Sequence, residues 1–345
     1  MTKKQLPIII LLSALTVSGC SDKEGPVVEN FTITENRLEM LVGETAVIET
    51  ETVPAGAEGT VFVEWTSSDE SVAIVDGVGN VTAVGGGEAV ITALCDGIAA
   101  MCDIYVYGDP EVGDFYYSDG TYSKDLRAEK TVIGVVFWTG NPSRHDAALR
   151  VQQPQCRRGL VVSLTDMRDV AWQSGVEEYG RSVSEWLDNP NYVSIATGFD
   201  GNDPLNLMLG YNNTKVLEAF NEAPENAEWP VEVAQKVVEY RTDVPCPERS
   251  SGWYLPSPKE MSLMCSGEIN KNLGTQYDKI TDVRDLINPR LEEASGSVLS
   301  EDYFFWTSAE IEGSPSLAVM FSTGGAIGQD YKTTSSQAVR CVLAF

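Results

Sequence analysis

The hydrophobic pattern of this chain changes character once, near Gly108-Asp109-Pro110, and that change limits the folds open to it. From Phe31 to Tyr107, valine, isoleucine and threonine alternate with polar residues. Turns fall at Pro54-Ala55-Gly56, Asp76-Gly77, Gly85-Gly86-Gly87 and Asp96-Gly97. Alternation sets one face of each strand on a core and the other in water, so short strands at this spacing predict an all-β sandwich. Trp65, beside Val61 and Val63, is placed to fill the space between two sheets. Beyond the hinge at 108–110 the pattern is that of an α+β domain. Thr131–Trp138 and Gly159–Leu164 are apolar runs that read as strands buried on both faces. Helices are expected over Thr214–Phe220 and Glu228–Tyr240, and after Ser257-Pro258-Lys259-Glu260, where serine caps, proline suits the first turn and Glu260 completes a capping box. Met261, Met264 and Cys265 then form that helix's apolar face. The chain ends in strands at Tyr303–Ser308, Leu317–Ser322, Ala326–Tyr331 and Ala338–Phe345. Two folded domains are therefore expected, residues 30–108 and 111–345.

The N-terminus carries a different signal. Lys3 and Lys4 precede an apolar run from Leu6 to Val17, and Ser18-Gly19-Cys20 closes it. The run is short for a membrane span, which needs about 20 residues, and suits a secretory leader. An ordinary leader ends in an A-x-A-like site, whereas this one ends small-small-Cys. It resembles the lipobox of bacterial lipoproteins, which implies cleavage after Gly19 and a diacylglyceryl thioether on Cys20. Residues 20–29 would then be a lipid-anchored tether. Each buried methylene contributes roughly 0.8 kcal/mol, so two or three acyl chains hold firmly where one does not. Ser21-Asp22-Lys23-Glu24 resembles the surface-export signals of Bacteroidota lipoproteins. The expected location is the outer face of the outer membrane, with its periplasmic face as the alternative.

Charge narrows the partners. The formal charge is −27, and losing Lys3 and Lys4 with the leader takes it to −29. So acidic a surface repels nucleic acid and anionic lipid within the screening distance of about 8 Å, and no basic stripe offsets it.

The first domain's wording is specific: Gly43-Glu44, Pro54, Trp65-Thr66-Ser67-Ser68-Asp69, Ser71-Val72-Ala73-Ile74-Val75-Asp76, Gly79-Asn80-Val81-Thr82-Ala83-Val84, and Gly87 leading into Ile91-Thr92-Ala93. It resembles the group 2 bacterial immunoglobulin-like (Big) domain, which implies a spacer or adhesion module without catalytic residues. The second domain opens on Gly113-Asp114-Phe115-Tyr116-Tyr117-Ser118-Asp119-Gly120-Thr121 and centres on Gly252-Trp253-Tyr254-Leu255-Pro256-Ser257. It closes on Phe305-Trp306-Thr307-Ser308-Ala309-Glu310 and Val339-Arg340 through Phe345. This resembles the Lcl C-terminal and Fibrobacter major paralogous domains and implies a C-type-lectin-like fold. The inserts at 140–158 and 173–212 fall outside the resemblance.

Chemistry is thinly signalled. The layout is also similar to formylglycine-generating enzymes, which need paired active-site cysteines late in the domain; here Cys341 stands alone in an alternating strand. One histidine, His145, cannot build a zinc site or a histidine-based triad. Glu177-Glu178 and Glu292-Glu293 are acidic pairs in a chain of 51 carboxylates, where solvated faces throw up such pairs by chance. No enzyme and no cofactor are expected. A hairpin turning at Asp96-Gly97 pairs Cys95 with Ile98 and Ile91 with Cys102, out of register for a disulfide. The pairing of Cys156, Cys246, Cys265 and Cys341 stays open.

The remaining candidate is a ligand site on the long insert, where Trp186, Tyr192, Phe199 and Tyr211 are interleaved with Asp188, Asn189, Asn191, Asn202 and Asn206. Flat apolar faces beside amides and carboxylates suit a glycan, and the same aromatics also serve to pin a long loop to its domain. Asp200, Asn202 and Asp203 offer oxygens for calcium, although an Asp-Gly-Asn turn reads the same way, and the Trp-Asn-Asp run of calcium-dependent lectins is absent. The expectation is a lipid-anchored stalk and a head that binds a glycan or a surface or host protein. A structural or tip subunit of a surface fibre is the alternative, and a glycan-active or formylglycine-type enzyme comes third.

Overall fold

A computed structural model describes residues 28–55, 62–199, 204–276, 278–334 and 337–345. Cys20, Asp200, Asn202 and Asp203 lie outside the described residues. The chain divides into two compact units, one ending at Val106 and the other running Tyr107–Phe345.

The first unit is built from short strands. They are β1 (Asn30–Ile33), β2 (Arg37–Leu41), β3 (Thr45–Val47), β4 (Thr50–Val53), β5 (Val63–Ser67), β6 (Ala73–Val75), β7 (Asn80–Ala83), β8 (Gly87–Cys95) and β9 (Ile98–Tyr107). They pair as β2-β9-β8-β5, β3-β7-β6 and β1-β4. Met40, Ile48, Val72, Val81, Ile91 and Ile104 form a core between them, and Trp65 packs against it half-buried. Gly79 has φ +86°, and a Cβ there would sit 2.8 Å from the Trp65 ring, so glycine serves both the turn and the tryptophan. Cys95 faces Ile98 and Ile91 faces Cys102, the register read from the hairpin turn. Both thiols are buried, and burial pushes Cys102 up to about 11.

Tyr107, the last residue of β9, and Gly108, both expected with the first domain, fall in the second unit. Lys130 donates to the Tyr107 hydroxyl at 2.7 Å, and the Tyr122 hydroxyl donates to the Gly108 carbonyl at 2.6 Å.

The second unit alternates strands and helices. Its strands are β10 (Phe115–Tyr117), β11 (Tyr122–Ser123), β12 (Val132–Thr139), β13 (Gly159–Val170), β14 (Ala196–Thr197), β15 (Phe304–Ile311), β16 (Ser314–Ser322), β17 (Ile327–Tyr331) and β18 (Gln337–Ala344). Its helices are α1 (Ala147–Gln152), α2 (Val176–Tyr179), α3 (Val183–Trp186), α4 (Gly210–Glu222), α5 (Glu232–Asp243), α6 (Pro258–Ser266) and α7 (Asp282–Glu293). One sheet runs β11-β10-β12-β13-β18-β15-β16-β17, with β14 added in parallel to β15. The C-terminal β18 lies in its middle and is buried along all eight residues, as its apolar wording requires. Arg340 on that strand is charged and enclosed, and it pairs with Asp166 on β13. Cys341 is packed there too, its thiol pushed up to about 12 by burial.

Both halves of the capping box on α6 form, with Ser257 as N-cap and Pro258 in the first turn. Glu260 does more than cap. Its carboxylate accepts from Ser257 N at 2.7 Å, from Gly210 N at 3.1 Å and from the Tyr254 hydroxyl at 2.9 Å. That reach explains why α4 starts at Gly210, earlier than the expected Thr214. Gly-Tyr-Asn-Asn is a poor helical start, but Glu260 and the Asp146 carboxylate, which accepts from Asn212 N at 2.8 Å, satisfy its first amides and oppose its dipole. α5 begins at Glu232, later than expected, because Val231 N is drawn to Asn221 Oδ1 at 2.8 Å.

Burial pushes the Glu260 carboxyl from 4.5 up to about 7, outweighing its donors. The folded state therefore holds the proton more tightly than the unfolded chain does. The resulting stabilisation is complete below the unfolded value and is lost as pH rises through about 7. A shift of this size corresponds to about 3 kcal/mol. Urea midpoints of the wild type should fall between pH 5 and 7.5 more steeply than those of Glu260→Gln, which cannot titrate. Parallel pH profiles would contradict this.

Candidate functional site

The insert leaves the sheet where β13 ends and returns at α4. Its entry is fastened first. Trp172 is buried, with its indole N–H donating to Thr307 O at 2.9 Å, while its backbone N–H and that of Gln173 donate to Lys332 O at 2.7 and 3.2 Å. The short α3 follows, opened by a second capping box of Ser182 and Glu185. Its first amides, Val183 N and Ser184 N, donate to the Glu310 carboxylate on β15 at 2.8 and 2.9 Å. Glu310 also pairs with Lys332, and both side chains are 0% exposed. β14 then lies along β15, with Ala196 opposite Glu310.

The four aromatics expected to receive a ligand do not form one platform. Trp186 stands half-buried, edge-on to Phe220 at 5.3 Å, and its indole N–H donates to Glu225 at 3.3 Å. Tyr192 is half-buried, and its hydroxyl accepts from Gln152 at 3.3 Å. Phe199 packs half-buried against Ala309, Ile311 and Val319. Tyr211 corrects the sequence reading: it sits in the first turn of α4, 2% exposed, edge-on to Tyr254 and donating to Gln152 Oε1 at 2.9 Å. A ring so enclosed has no face to stack on a ligand. The helix that buries it starts at Gly210, ahead of the expected Thr214, because distant carboxylates hold its first turn.

Residues of the insert border an open hollow of about 450 Å³. His145, Asn191, Val193, Ser194, Asn212 and Glu312 are among its lining residues. Asn212 holds the wall, its amide exchanging hydrogen bonds with Val193 N and Val193 O at 3.0 and 3.1 Å. His145 Nδ1 accepts from Met208 N at 3.4 Å, which in the neutral ring leaves the proton on Nε2. Val193 shows half its surface. The lining thus combines amides, a hydroxyl, one imidazole, one carboxylate and small apolar surfaces. Its sequence signal was the run of asparagines about residue 190; His145 gave none, because a lone histidine in a polar loop is brought to the hollow only by the fold.

Among the described residues no group of three or more histidine, cysteine, aspartate or glutamate side chains is placed to hold a metal ion. Glu177-Glu178 and Glu292-Glu293 are exposed on helix ends. Trp253 and Trp306 are fully buried and Trp138 packs half-buried against the core, in keeping with framework roles.

Comparison with known proteins gives three results. Residues 27–97 match the bacterial Ig-like domain (group 2) family, so the first unit contains a Big-type domain. A Bacteroides ovatus protein with the provisional name fimbrium tip subunit Fim1C is 27% identical over 262 residues, covering 68% of this chain and 45% of that protein. The chain thus spans a little under half of that relative's length. A solved fimbrial protein from Bacteroides ovatus superposes with a TM-score of 0.55 over 91% of this chain and 70% of its own, at 17% identity. At that identity the likeness is one of fold.

The Trp186 contacts carry a prediction. Trp186→Ala removes an edge-on ring pair and a half-buried indole, and should lower stability by roughly 1–2 kcal/mol, read as a lower melting temperature. An unchanged melting temperature would mean the indole holds nothing in place.

Proposed function

We propose that this chain is a non-catalytic subunit of a bacterial surface fibre, at or near its tip. One observation carries the reading: 68% of the chain aligns with a protein whose name is that of a fimbrium tip subunit. The fold shared with a solved fimbrial protein supports it. These relatives favour a fibre subunit over a free-standing adhesin.

In this reading the leader resembling a lipobox delivers the chain through Cys20 to the outer membrane and on to the cell surface, the periplasmic face remaining the alternative. Among the described residues no helix is long and apolar enough to cross a membrane. The Big-type domain acts as the spacer. The second unit, read as C-type-lectin-like, is the head, and its partner is a glycan or a surface or host protein. The hollow lined by Asn191, Val193 and Asn212 supports a neutral, hydroxyl-rich ligand, since its polar groups are chiefly amides and a hydroxyl and an anion would meet Glu312. The charge of −27 sets nucleic acid aside as a partner.

The experiment is to shear fibres from cells making the wild type or Cys20→Ala in the presence of a palmitate analogue. The wild type should co-purify with other fibre subunits and carry label, and Cys20→Ala should lose both. A wild-type chain absent from the sheared fibres would overturn the fibre assignment. Undiminished labelling of Cys20→Ala would overturn the anchor.

A further inference from the structure

Gln173, Glu310 and Lys332 meet inside the second unit with no exposed surface on any of them. Lys332 Nζ touches Glu310 Oε1 and lies 3.3 Å from Gln173 Oε1. The Trp172 ring covers the amine, its centroid 4.6 Å away. Gln173 Nε2 is held by Trp229 O at 3.1 Å, which stops the amide from turning away. Burial also lowers the proton affinity of Lys332, against the pull of Glu310.

Each group has a chemical capacity the others complete. A lysine becomes a nucleophile when it loses its proton, and desolvation in an enclosed site favours the neutral amine. The adjacent carboxylate is placed to take that proton. The primary amide offers an electrophilic carbon one bond from the oxygen that Nζ already approaches. Fixed proximity of this kind replaces an encounter that would be negligible between free side chains in water. Water, the competing nucleophile, is excluded by the same burial.

We propose that these residues are a self-catalysed cross-linking site, at which Lys332 Nζ attacks Gln173 Cδ to form an amide bond between the two side chains. The new bond is Nζ–Cδ and the bond broken is Cδ–Nε2. Two protons pass from Nζ to Nε2 by way of Glu310, the nitrogen leaves as ammonium, and Glu310 returns as carboxylate. No oxidant, metal or cofactor enters the balance. The product joins the entry of the insert to the segment after β17 and closes a covalent loop across 159 positions of sequence. Such a closure limits the freedom of the unfolded chain, as a disulfide does. This assignment stands independently of the fibre reading.

Peptide mapping of the full chain by mass spectrometry tests it. In the wild type, the peptides containing Gln173 and Lys332 should appear joined, one ammonia lighter than their sum. Lys332→Met and Glu310→Gln should each return Gln173 in an unlinked peptide. Should either variant fail to fold, the wild-type map decides alone. Separate, unmodified peptides from the folded wild type would overturn the proposal. A product one water lighter, joined through Glu310, would overturn the choice of Gln173 as electrophile.

Discussion

The second unit depends on buried carboxylates that accept hydrogen bonds from segments far apart in sequence, and Glu310 is the clearest case. It sits inside β15, yet it receives two backbone amides from α3 and the contact of the Lys332 side-chain nitrogen. Enclosing a charge is costly unless its lone pairs are filled, and removing one partner of such a pair typically costs 3–5 kcal/mol. Glu310 is filled from both sides, so the insert can leave the sheet without losing its place. Glu260 works likewise, joining the start of α4, the Tyr254 hydroxyl and the cap of α6. These two residues turn irregular connections into a fixed surface.

That dependence explains what the sequence discloses. The first unit is legible because its information is local: alternation marks each strand, and the Asp96-Gly97 turn sets the register that separates Cys95 from Cys102. β18 and the capping box on α6 are legible for the same reason. The start of α4 is not, because Gly210 and Asn212 become helical only through Glu260 and Asp146. α7 escapes notice because Pro289 lies within it, although Ile287 and Leu291 are buried one turn apart. Tyr211 belongs to α4 and not to the loop of the insert. The hollow is legible only in part: the asparagines near residue 190 mark one wall, while His145 and Glu312 reach it from distant segments.

Function follows from two kinds of information. The Big-type domain and the fold shared with a fimbrial protein speak to architecture, and architecture does not name a ligand. Among the described residues no group of histidine, cysteine or acidic side chains is placed to hold a metal ion.

The central claim is the position in a fibre. Immunogold electron microscopy of intact cells, with antibody raised against residues 107–345, tests it most directly. Gold at the free ends of fibres, and none on a strain lacking the fibre shaft, is the expected result. Gold spread over the cell body whether or not fibres are present would contradict it.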